Sequence, residues 1–197
     1  MEIRYKDIIL RDMTESDIDD WIRWYNVETE WSDWDAPDEP LKPVDPEKFR
    51  AEQMTRLAVP MEGFRSFFEI ATADNHHIGK VTSYAIGPDF MWMSWQDAKA
   101  SGNFRFALGI GICDSRFWGR GYGTQALAAF ARYMLEQGRG PLYLQTWSGN
   151  VRMLRSAAKL GFVECFRREG DRFIRGGIYD SVTLRLDESR FDAFLNE

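Results

Sequence analysis

The spacing of hydrophobic and polar residues predicts a strand and two helices near the start of the chain. Ile3–Arg11 has the pattern of a short strand. Thr14-x-x-Asp17 resembles a capping box, and apolar residues then recur at helical spacing at Ile18, Trp21, Ile22 and Tyr25. Asp45-Pro46 is typical of a second helix start, because proline at the first position lacks only an N–H that would be unpaired anyway.

Two strand patterns follow, and together they predict a β-hairpin. The runs are "SFFEIATAD" and "HIGKVTSYAIG", with "NH" between them. We expect Asn75, His76 and His77 to lie in the turn. The sequence therefore assigns no metal site to the histidine pair.

The second half of the chain alternates strands and helices. "FRFALGIGIC" is a strand into which Gly109 and Gly111 intrude, and glycine inside a strand marks a bulge or a close approach by a ligand. Thr124–Gln137 is an amphipathic helix, and a shorter helix capped by Asn150 follows the strand "PLYLQTW". "FVECFRRE" and "IYDSVTLRL" form a closing pair of strands. Without a linker or repeat, residues 1–197 are expected to form a single domain.

Composition favours a globular cytoplasmic protein. Hydrophobic residues make up 44% of the chain, which is ample for one core. No run of 18 apolar residues occurs, and the N-terminal "MEIRYKDIILRDM" is too charged for a signal peptide, so we expect no membrane partner. Cys113 and Cys165 lack metal-ligand spacing and are expected to be reduced structural thiols.

The net charge of −6 conceals a strong asymmetry. Residues 116–159 contain seven basic residues and one acid, whereas residues 26–47 contain eight acids and one lysine. The overall negative charge argues against nucleic acid as a partner. Solvated surfaces explain most such clusters, but two opposed clusters also fit a bipolar ligand path.

The stretch "RFWGRGYGTQAL" places three glycines directly before a helix. A helix N-terminus carries unpaired N–H groups and partial positive charge, so a phosphate is its natural ligand. A Walker A motif is excluded because no Gly-Lys-Ser/Thr follows. Gly121-x-Gly123-x-x-Ala126 fits a dinucleotide fingerprint superficially, but positions 139–150 hold no acid for a ribose, and a hairpin precedes the motif.

A wider pattern resembles the acetyl-CoA-binding core of the GNAT N-acetyltransferase superfamily, in particular its RimJ/RimL-type branch. The pattern joins "GICDSRFWGRGYGTQAL" to "NVRMLRSAAKLGF". Trp118 stands where the superfamily has Arg or Gln, and an aromatic residue is usual there in this branch. The resemblance implies an α+β fold with a mixed, mostly antiparallel twisted sheet of about seven strands flanked by helices.

The resemblance also implies which residues bind acetyl-CoA, the expected cofactor. Main-chain groups of one strand end would pair with the pantetheine arm, the glycine loop would hold the pyrophosphate, and arginines would approach the phosphates. Asn150 would bond the cofactor amide or simply cap its helix. The full expected set is Gly111, Ile112, Cys113, Trp118, Gly119, Arg120, Gly121, Tyr122, Gly123, Thr124, Asn150, Arg152 and Arg155.

Catalytic groups are less clear, because the strand before the glycine loop lacks the carboxylate that many relatives use as a base. Glu30, Asp33, Asp35 and Glu69 are alternative bases, and we assign the role to Glu30. Many relatives use a tyrosine as the acid at the position of Ala157. Ser156, Tyr179 or a bound water is expected to replace it.

The acceptor is expected to be a cationic primary amine, either a small molecule or a peptide: a protein N-terminus, a polyamine or an aminosugar. Aromatic and acidic residues attract cations, and the candidates are Trp31, Asp33, Trp34 and Glu69. The alternative function is a non-catalytic acyl-CoA-binding sensor or interaction module, and a homodimer remains open.

Overall fold

One sheet runs through the chain from its first strand to its last in a computed structural model that describes residues 1–196. Its order is β1-β2-β3-β4-β6-β7-β9-β8, with β5 beside β4. All neighbours are antiparallel except β6 and β7. The strands are β1 Glu2–Tyr5, β2 Ile8–Arg11, β3 Phe67–Thr72, β4 His77–Ile86, β5 Trp92–Met93, β6 Arg105–Ile112, β7 Leu142–Trp147, β8 Phe162–Ile174 and β9 Gly177–Leu186.

Among residues 1–196, seven α-helices accompany the sheet: α1 Asp17–Asn26, α2 Ser32–Asp35, α3 Pro46–Leu57, α4 Trp95–Ser101, α5 Tyr122–Glu136, α6 Val151–Lys159 and α7 Glu188–Leu195. The architecture is the predicted α+β class, with nine strands instead of about seven. None of the helices within residues 1–196 is both long and apolar enough to span a bilayer.

The N-terminal region differs from the sequence prediction. Ile3–Arg11 forms two paired strands, because the chain reverses at Lys6, whose φ is +48°. The predicted capping box is half formed. The Thr14 N–H donates to Asp17 Oδ2 at 2.7 Å, but the Thr14 hydroxyl donates to the same oxygen instead of accepting a backbone N–H.

Hydrophobic side chains pack on both faces of the sheet. The α5 residues Leu127, Phe130 and Met134 are fully buried in the main core, as their spacing predicts. A smaller cluster of Trp21, Trp24, Trp31 and Cys113 occupies the α1 side. Because side chains alternate along a strand, β6 contributes Ile110 and Ile112 to the α5 side and bare glycines to the α1 side.

The parallel strands β6 and β7 pair over a short length only, and the candidate site lies where this pairing ends. Pairing runs only from Phe106↔Leu142 to Leu108↔Leu144. Beyond Leu108, residues 109–112 of β6 stay paired with β4, and residues 145–147 of β7 stay paired with β9, but β6 and β7 no longer pair with each other. The sheet therefore opens between β6 and β7.

The β8–β9 hairpin extends past the sheet and reaches the acidic region of the chain. Arg172 is paired with Asp38, and the Arg175 guanidinium lies 2.8 Å from Asp33 Oδ1. These ion pairs use acidic side chains that the sequence alone leaves free for a ligand.

Candidate active site

A cavity of about 670 Å³ occupies the opening between β6 and β7. It is bounded by the glycine loop and the start of α5 at one end and by residues of β4 and α2 at the other. Fourteen of the residues expected at the site line it: Trp31, Trp34, Gly111, Ile112, Trp118, Gly119, Gly121, Tyr122, Gly123, Thr124, Asn150, Arg152, Arg155 and Ser156.

The glycine loop presents bare backbone to this cavity. Gly119 and Gly121 have φ of +73° and +86°, a left-handed conformation that favours glycine, and a Cβ at Gly119 would have no neighbour within 4 Å. The first backbone bond of α5 joins the Gln125 N–H to Gly121 O. The N–H groups of residues 122–124 therefore have no acceptor within the helix and can bind an anion.

Basic side chains surround the same end of the cavity. Arg152, Arg155 and Lys159 line it. The Arg152 guanidinium is held between two indole rings, 4.4 Å from the centroid of Trp34 and 4.8 Å from that of Trp118. This end combines open amides with cations and so fits the diphosphate of a coenzyme A derivative.

Two residues of the expected cofactor set lie outside the cavity lining. Arg120 sits against the ring of Phe117 at 5.7 Å. Cys113 is buried in the tryptophan cluster, and desolvation there raises the pKa of its thiol, which stays protonated. Any contact of Cys113 with a ligand is therefore limited to its backbone.

Asn150 takes the capping role that the sequence left open, and its amide nitrogen has a protein partner. Its Oδ1 accepts the Met153 N–H at 3.1 Å and caps α6, while its Nδ2 donates to Trp34 O at 2.8 Å. The carbonyl that it binds belongs to the α2 segment, defined here as residues 31–36. Asn150 thus ties this segment to the start of α6.

The floor of the cavity's other end comes from two adjacent strands. Lys80, Thr82 and Tyr84 lie at alternate positions of β4 and line the cavity. Lys80 pairs with Gly111 and Thr82 with Gly109 in the β4–β6 register, so these side chains share a face with the glycines. The two glycines keep the β6 backbone accessible from the α1 side.

Asp35 is the one carboxylate among residues 1–196 that lines the cavity. Asp35 is an exposed residue at the cavity, but the protein atoms around it partly desolvate its carboxyl group. This desolvation raises the pKa of the Asp35 carboxyl above its usual range, against the opposing charge of Lys80. A carboxylate with a raised pKa is a stronger base toward an ammonium group.

Ser156 lines the cavity and lies 3.2 Å from the hydroxyl of Thr124, which donates to it. The Ser156 O–H can then point to a ligand. Ala157 is completely buried in the main core. Position 157 therefore faces away from the cavity.

The other expected catalytic and acceptor residues lie outside the cavity. Glu30 is exposed on the surface, and Tyr179 packs its ring edge-on against Trp147 with centroids 4.9 Å apart. Asp33 is paired with Arg175. Glu69 is fully buried and does not line the cavity.

Glu69 instead belongs to a buried ionic cluster. Its Oε1 accepts the Trp21 indole N–H, and its Oε2 lies 3.0 Å from His77 Nε2. His77 is therefore not a turn residue: it is the first residue of β4, and its Nδ1 lies 3.1 Å from Asp20 Oδ2. Burial lowers the pKa of His77, but hydrogen bonds to Asp20 and Glu69 outweigh it and raise the pKa to about 9.

This cluster has the residue types of a metal site but the bonding of an ion network. Ligand atoms of Asp17, Asp20 and His77 lie within 4.8 Å of one another. Both nitrogens of His77 are within hydrogen-bonding distance of carboxylates, which is the arrangement of a protonated imidazolium. Asp17 is further engaged by Arg11 at 2.6 Å. The cluster thus joins α1 to β2, β3 and β4.

Comparison with known proteins identifies the class. The "Acetyltransferase (GNAT) domain" family matches residues 7–163, and the chain belongs to this family of acetyl-CoA-dependent N-acetyltransferases. A search of curated protein sequences gives no match.

Solved structures share the fold at low sequence identity. A GNAT-family acetyltransferase from Bacillus anthracis has a TM-score of 0.67 at 12% identity, with 96% of this chain and 99% of that chain covered. RimL, the ribosomal L7/L12 alpha-N-protein acetyltransferase in complex with coenzyme A, has a TM-score of 0.69 at 16% identity, with 94% of this chain and 97% of that chain covered. The ribosomal-protein-S5-alanine acetyltransferase from Vibrio fischeri has a TM-score of 0.67 at 16% identity, with 94% of this chain and 95% of that chain covered. These neighbours show that the chain has the fold of GNAT acetyltransferases.

Sequence reasoning missed the β4 side of the site. Lys80, Tyr84 and the cavity-lining Gln145 carry no motif. The usable signal was the alternation of Lys80, Thr82 and Tyr84 along one strand of the predicted hairpin. That signal becomes specific only when the register places this face beside Gly109 and Gly111.

Proposed function

We propose that this enzyme acetylates a primary amine by direct attack in a ternary complex, with Asp35 as the general base. The observation that carries the proposal is the placement of Asp35. It faces the cavity beside the glycine floor of β6, and no other carboxylate among residues 1–196 does so. Asp35 was one of four alternative bases in the sequence, and its geometry favours it over Glu30.

The residues that would hold acetyl-CoA fall into three groups. The N–H groups of residues 119–124 and the side chains of Arg152 and Arg155 would bind the phosphates. The edge of β6 that lacks a β7 partner, residues 109–112, offers backbone groups to the pantetheine amides. Acetyl-CoA when bound supplies an acetyl thioester, which an uncharged amine converts to an N-acetyl product and free thiol.

Two side chains of the cavity, Asp35 and Ser156, would take part in proton transfer and hydrogen bonding during the reaction. An ammonium group cannot attack a carbonyl, so a carboxylate oxygen of Asp35 accepts one amine proton, directly or through water. The Ser156 hydroxyl accepts a hydrogen bond from Thr124, so its own O–H would be free to donate to the leaving thiolate if the thioester comes within reach. Trp31, Trp34 and Trp118 surround the site with aromatic surface and restrict water.

The residues that line the cavity give less support to a strongly cationic acceptor than the sequence did. Of the aromatic and acidic residues expected to attract a cation, Trp31 and Trp34 line the cavity, whereas Asp33 and Glu69 are engaged elsewhere. The support for a strongly cationic acceptor is therefore reduced to the aromatic faces and Asp35. A protein N-terminus or an amino acid amine remains compatible with this lining.

The variant Asp35→Asn tests the proposal. We expect kcat at neutral pH to fall by about 10²–10⁴, the usual contribution of a general base, while the Kd for acetyl-CoA changes less than about twofold. Thiol release with an amine panel gives turnover, and calorimetry gives binding. In the wild type, activity should be present above the raised pKa of Asp35 and lost below it, and the variant should lack this limb.

Asp38→Asn is the matched control, because Asp38 belongs to the same acidic region but pairs with Arg172 outside the cavity. Its turnover should remain near that of the wild type. Full activity of Asp35→Asn would contradict the assigned base. Tight binding of acetyl-CoA without turnover of any amine would instead favour the non-catalytic module.

A further inference from the structure

Lys80 places a positive charge at the acceptor end of the cavity. Its Nζ lies 5.1 Å from the ring centroid of Trp21 and 5.7 Å from that of Trp31. The side chain is partly buried, and among residues 1–196 no carboxylate lies within 4.0 Å of its ammonium group. Ammonium groups withdrawn from bulk solvent are normally paired, so this one is available to a ligand.

The register explains why Lys80 has no carboxylate partner among residues 1–196. Glu69 lies directly opposite Lys80 in the β3–β4 pair, where a cross-strand ion pair would be expected. Both oxygens of Glu69 are already used, one by the Trp21 indole and one by His77. Its charge is therefore committed to the buried cluster, and the Lys80 ammonium is left facing the cavity.

Lys80 is also separate from the phosphate-binding end. The cations suited to the cofactor, Arg152 and Arg155, are on α6, whereas Lys80 is on β4 next to the glycine floor at Gly111. Among residues 1–196, Lys80 and Asp35 are the charged residues that line the cavity from outside α6, and Arg152 of α6 contacts the Trp34 ring of the α2 segment. Lys80 and Asp35 line one cavity and form no ion pair with each other, so both remain available to a small molecule that carries the two opposite charges.

We propose that the acceptor carries a carboxylate close to its amine, and that Lys80 binds this carboxylate while Asp35 receives the amine. This inference rests on the proposed function and adds the substrate class. The chemistry fits a free amino acid or a peptide that begins with an acidic residue. In this arrangement Lys80 is a specificity residue and makes no bond to the transferred acetyl group.

Matched acceptor pairs test the inference. One pair is glutamate and its α-carboxamide, and the other is a short peptide beginning with Glu and the same peptide beginning with Gln. We expect the wild type to show a kcat/KM at least tenfold higher for the acidic member of one pair, and that pair identifies the source. In Lys80→Met this ratio should fall to about one, mainly through KM, and Lys80→Arg should restore part of it.

Lys99→Met, an exposed lysine on α4, controls for loss of a positive charge elsewhere. It should keep the wild-type ratio. Equal kcat/KM within both pairs, or a preference for polyamines, would overturn the inference while leaving the N-acetyltransferase proposal intact. Acetyl-CoA binding with no turnover of any acceptor would overturn the proposed function itself, and the inference with it.

Discussion

Gly123 shows how one missing side chain serves binding. It is the second residue of α5, has ordinary helical φ and lines the cavity. A Cβ built there would lie 3.6 Å from Ile112 Cγ1, which is an ordinary contact. The fold therefore tolerates alanine at this position, and the absent methyl keeps the backbone amides of the first turn open.

We expect Gly123→Ala to raise stability and lower affinity together. Alanine in a helix is favoured over glycine by up to about 1 kcal/mol, so the melting temperature of the free protein should rise slightly. The methyl group would shield the first-turn N–H groups, so the Kd for coenzyme A should increase about tenfold, or about 1.4 kcal/mol. Calorimetry and thermal unfolding measure the two effects.

The variant serves as its own control, because a misfolded protein would lose thermal stability as well as affinity for coenzyme A, whereas we expect stability to rise and affinity to fall. An unchanged Kd in a variant with a raised melting temperature would contradict diphosphate binding at this turn. Gly121 is a poorer choice for the test. Its left-handed φ of +86° would strain any substituted residue, so lost binding could reflect a distorted loop.

At the scale of elements, the α2 segment is held over the cavity by a small set of contacts. The Trp34 carbonyl accepts hydrogen bonds from Asn150 Nδ2 and, at 3.3 Å, from the Trp147 indole N–H. The Trp34 ring covers the Arg152 guanidinium. Because this segment carries Asp35, its attachment to α6 sets the position of the proposed base.

Two substitutions of Asn150 separate its two bonds. Asn150→Asp keeps the oxygen that caps α6 but replaces the donor with an anion against the Trp34 carbonyl, so the segment should loosen while the melting temperature is largely kept. Asn150→Ala loses both bonds, and the lost cap should cost about 1 kcal/mol. Hydrogen–deuterium exchange over residues 31–36 and thermal unfolding report on each.

Faster exchange in both variants, with a lower melting temperature only in Asn150→Ala, is the expected pattern. Unchanged exchange in Asn150→Asp would show that Arg152 and Trp147 suffice to hold the segment. The turnover of Asn150→Asp should fall with the loss of the fixed position of Asp35.

Local signals predicted several elements correctly. The Asp45 side chain accepts the Lys48 N–H at 2.9 Å and caps α3, and Asn150 caps α6. These succeeded because caps depend on a few neighbouring residues. The predictions that failed depended on distant partners: His77 is drawn into the core by Asp20 and Glu69, and Ile3–Arg11 is divided by its own pairing.

The same distinction applies to the site. The glycine loop is a continuous motif, and the sequence placed most of its residues at the cavity. The acceptor end is assembled from β4, β6 and α2, so its members cannot be recognised until register and packing are known. Acidic residues near one another in sequence, such as Asp33, Asp35 and Asp38, receive different roles from partners on the β8–β9 hairpin.

For the whole molecule, the cluster around His77 makes stability depend on pH. The folded protein holds this proton up to about pH 9, whereas an unfolded histidine releases it near 6.5. The stabilisation is complete below pH 6.5 and is lost as pH rises through 9. The shift corresponds to roughly 3 kcal/mol.

We therefore expect the free energy of unfolding to decline between pH 7 and pH 9 in the wild type, with a shallower decline in His77→Gln. Urea unfolding at several pH values measures both slopes. His76→Gln, a change to the histidine just before β4, controls for the loss of an imidazole as such. Equal slopes for the wild type and His77→Gln would contradict a protonated His77.

The brief contact of β6 with β7 has a mechanical consequence. Within residues 1–196, three residue pairs form the only ladder between the strands β1–β6 and the strands β7–β9. A pantetheine arm lying along residues 109–112 would act as a tenth strand and bridge this seam. The ligand would then help to hold the two parts of the sheet together. Each release of product would leave strands β1–β6 and β7–β9 connected only by the three residue pairs.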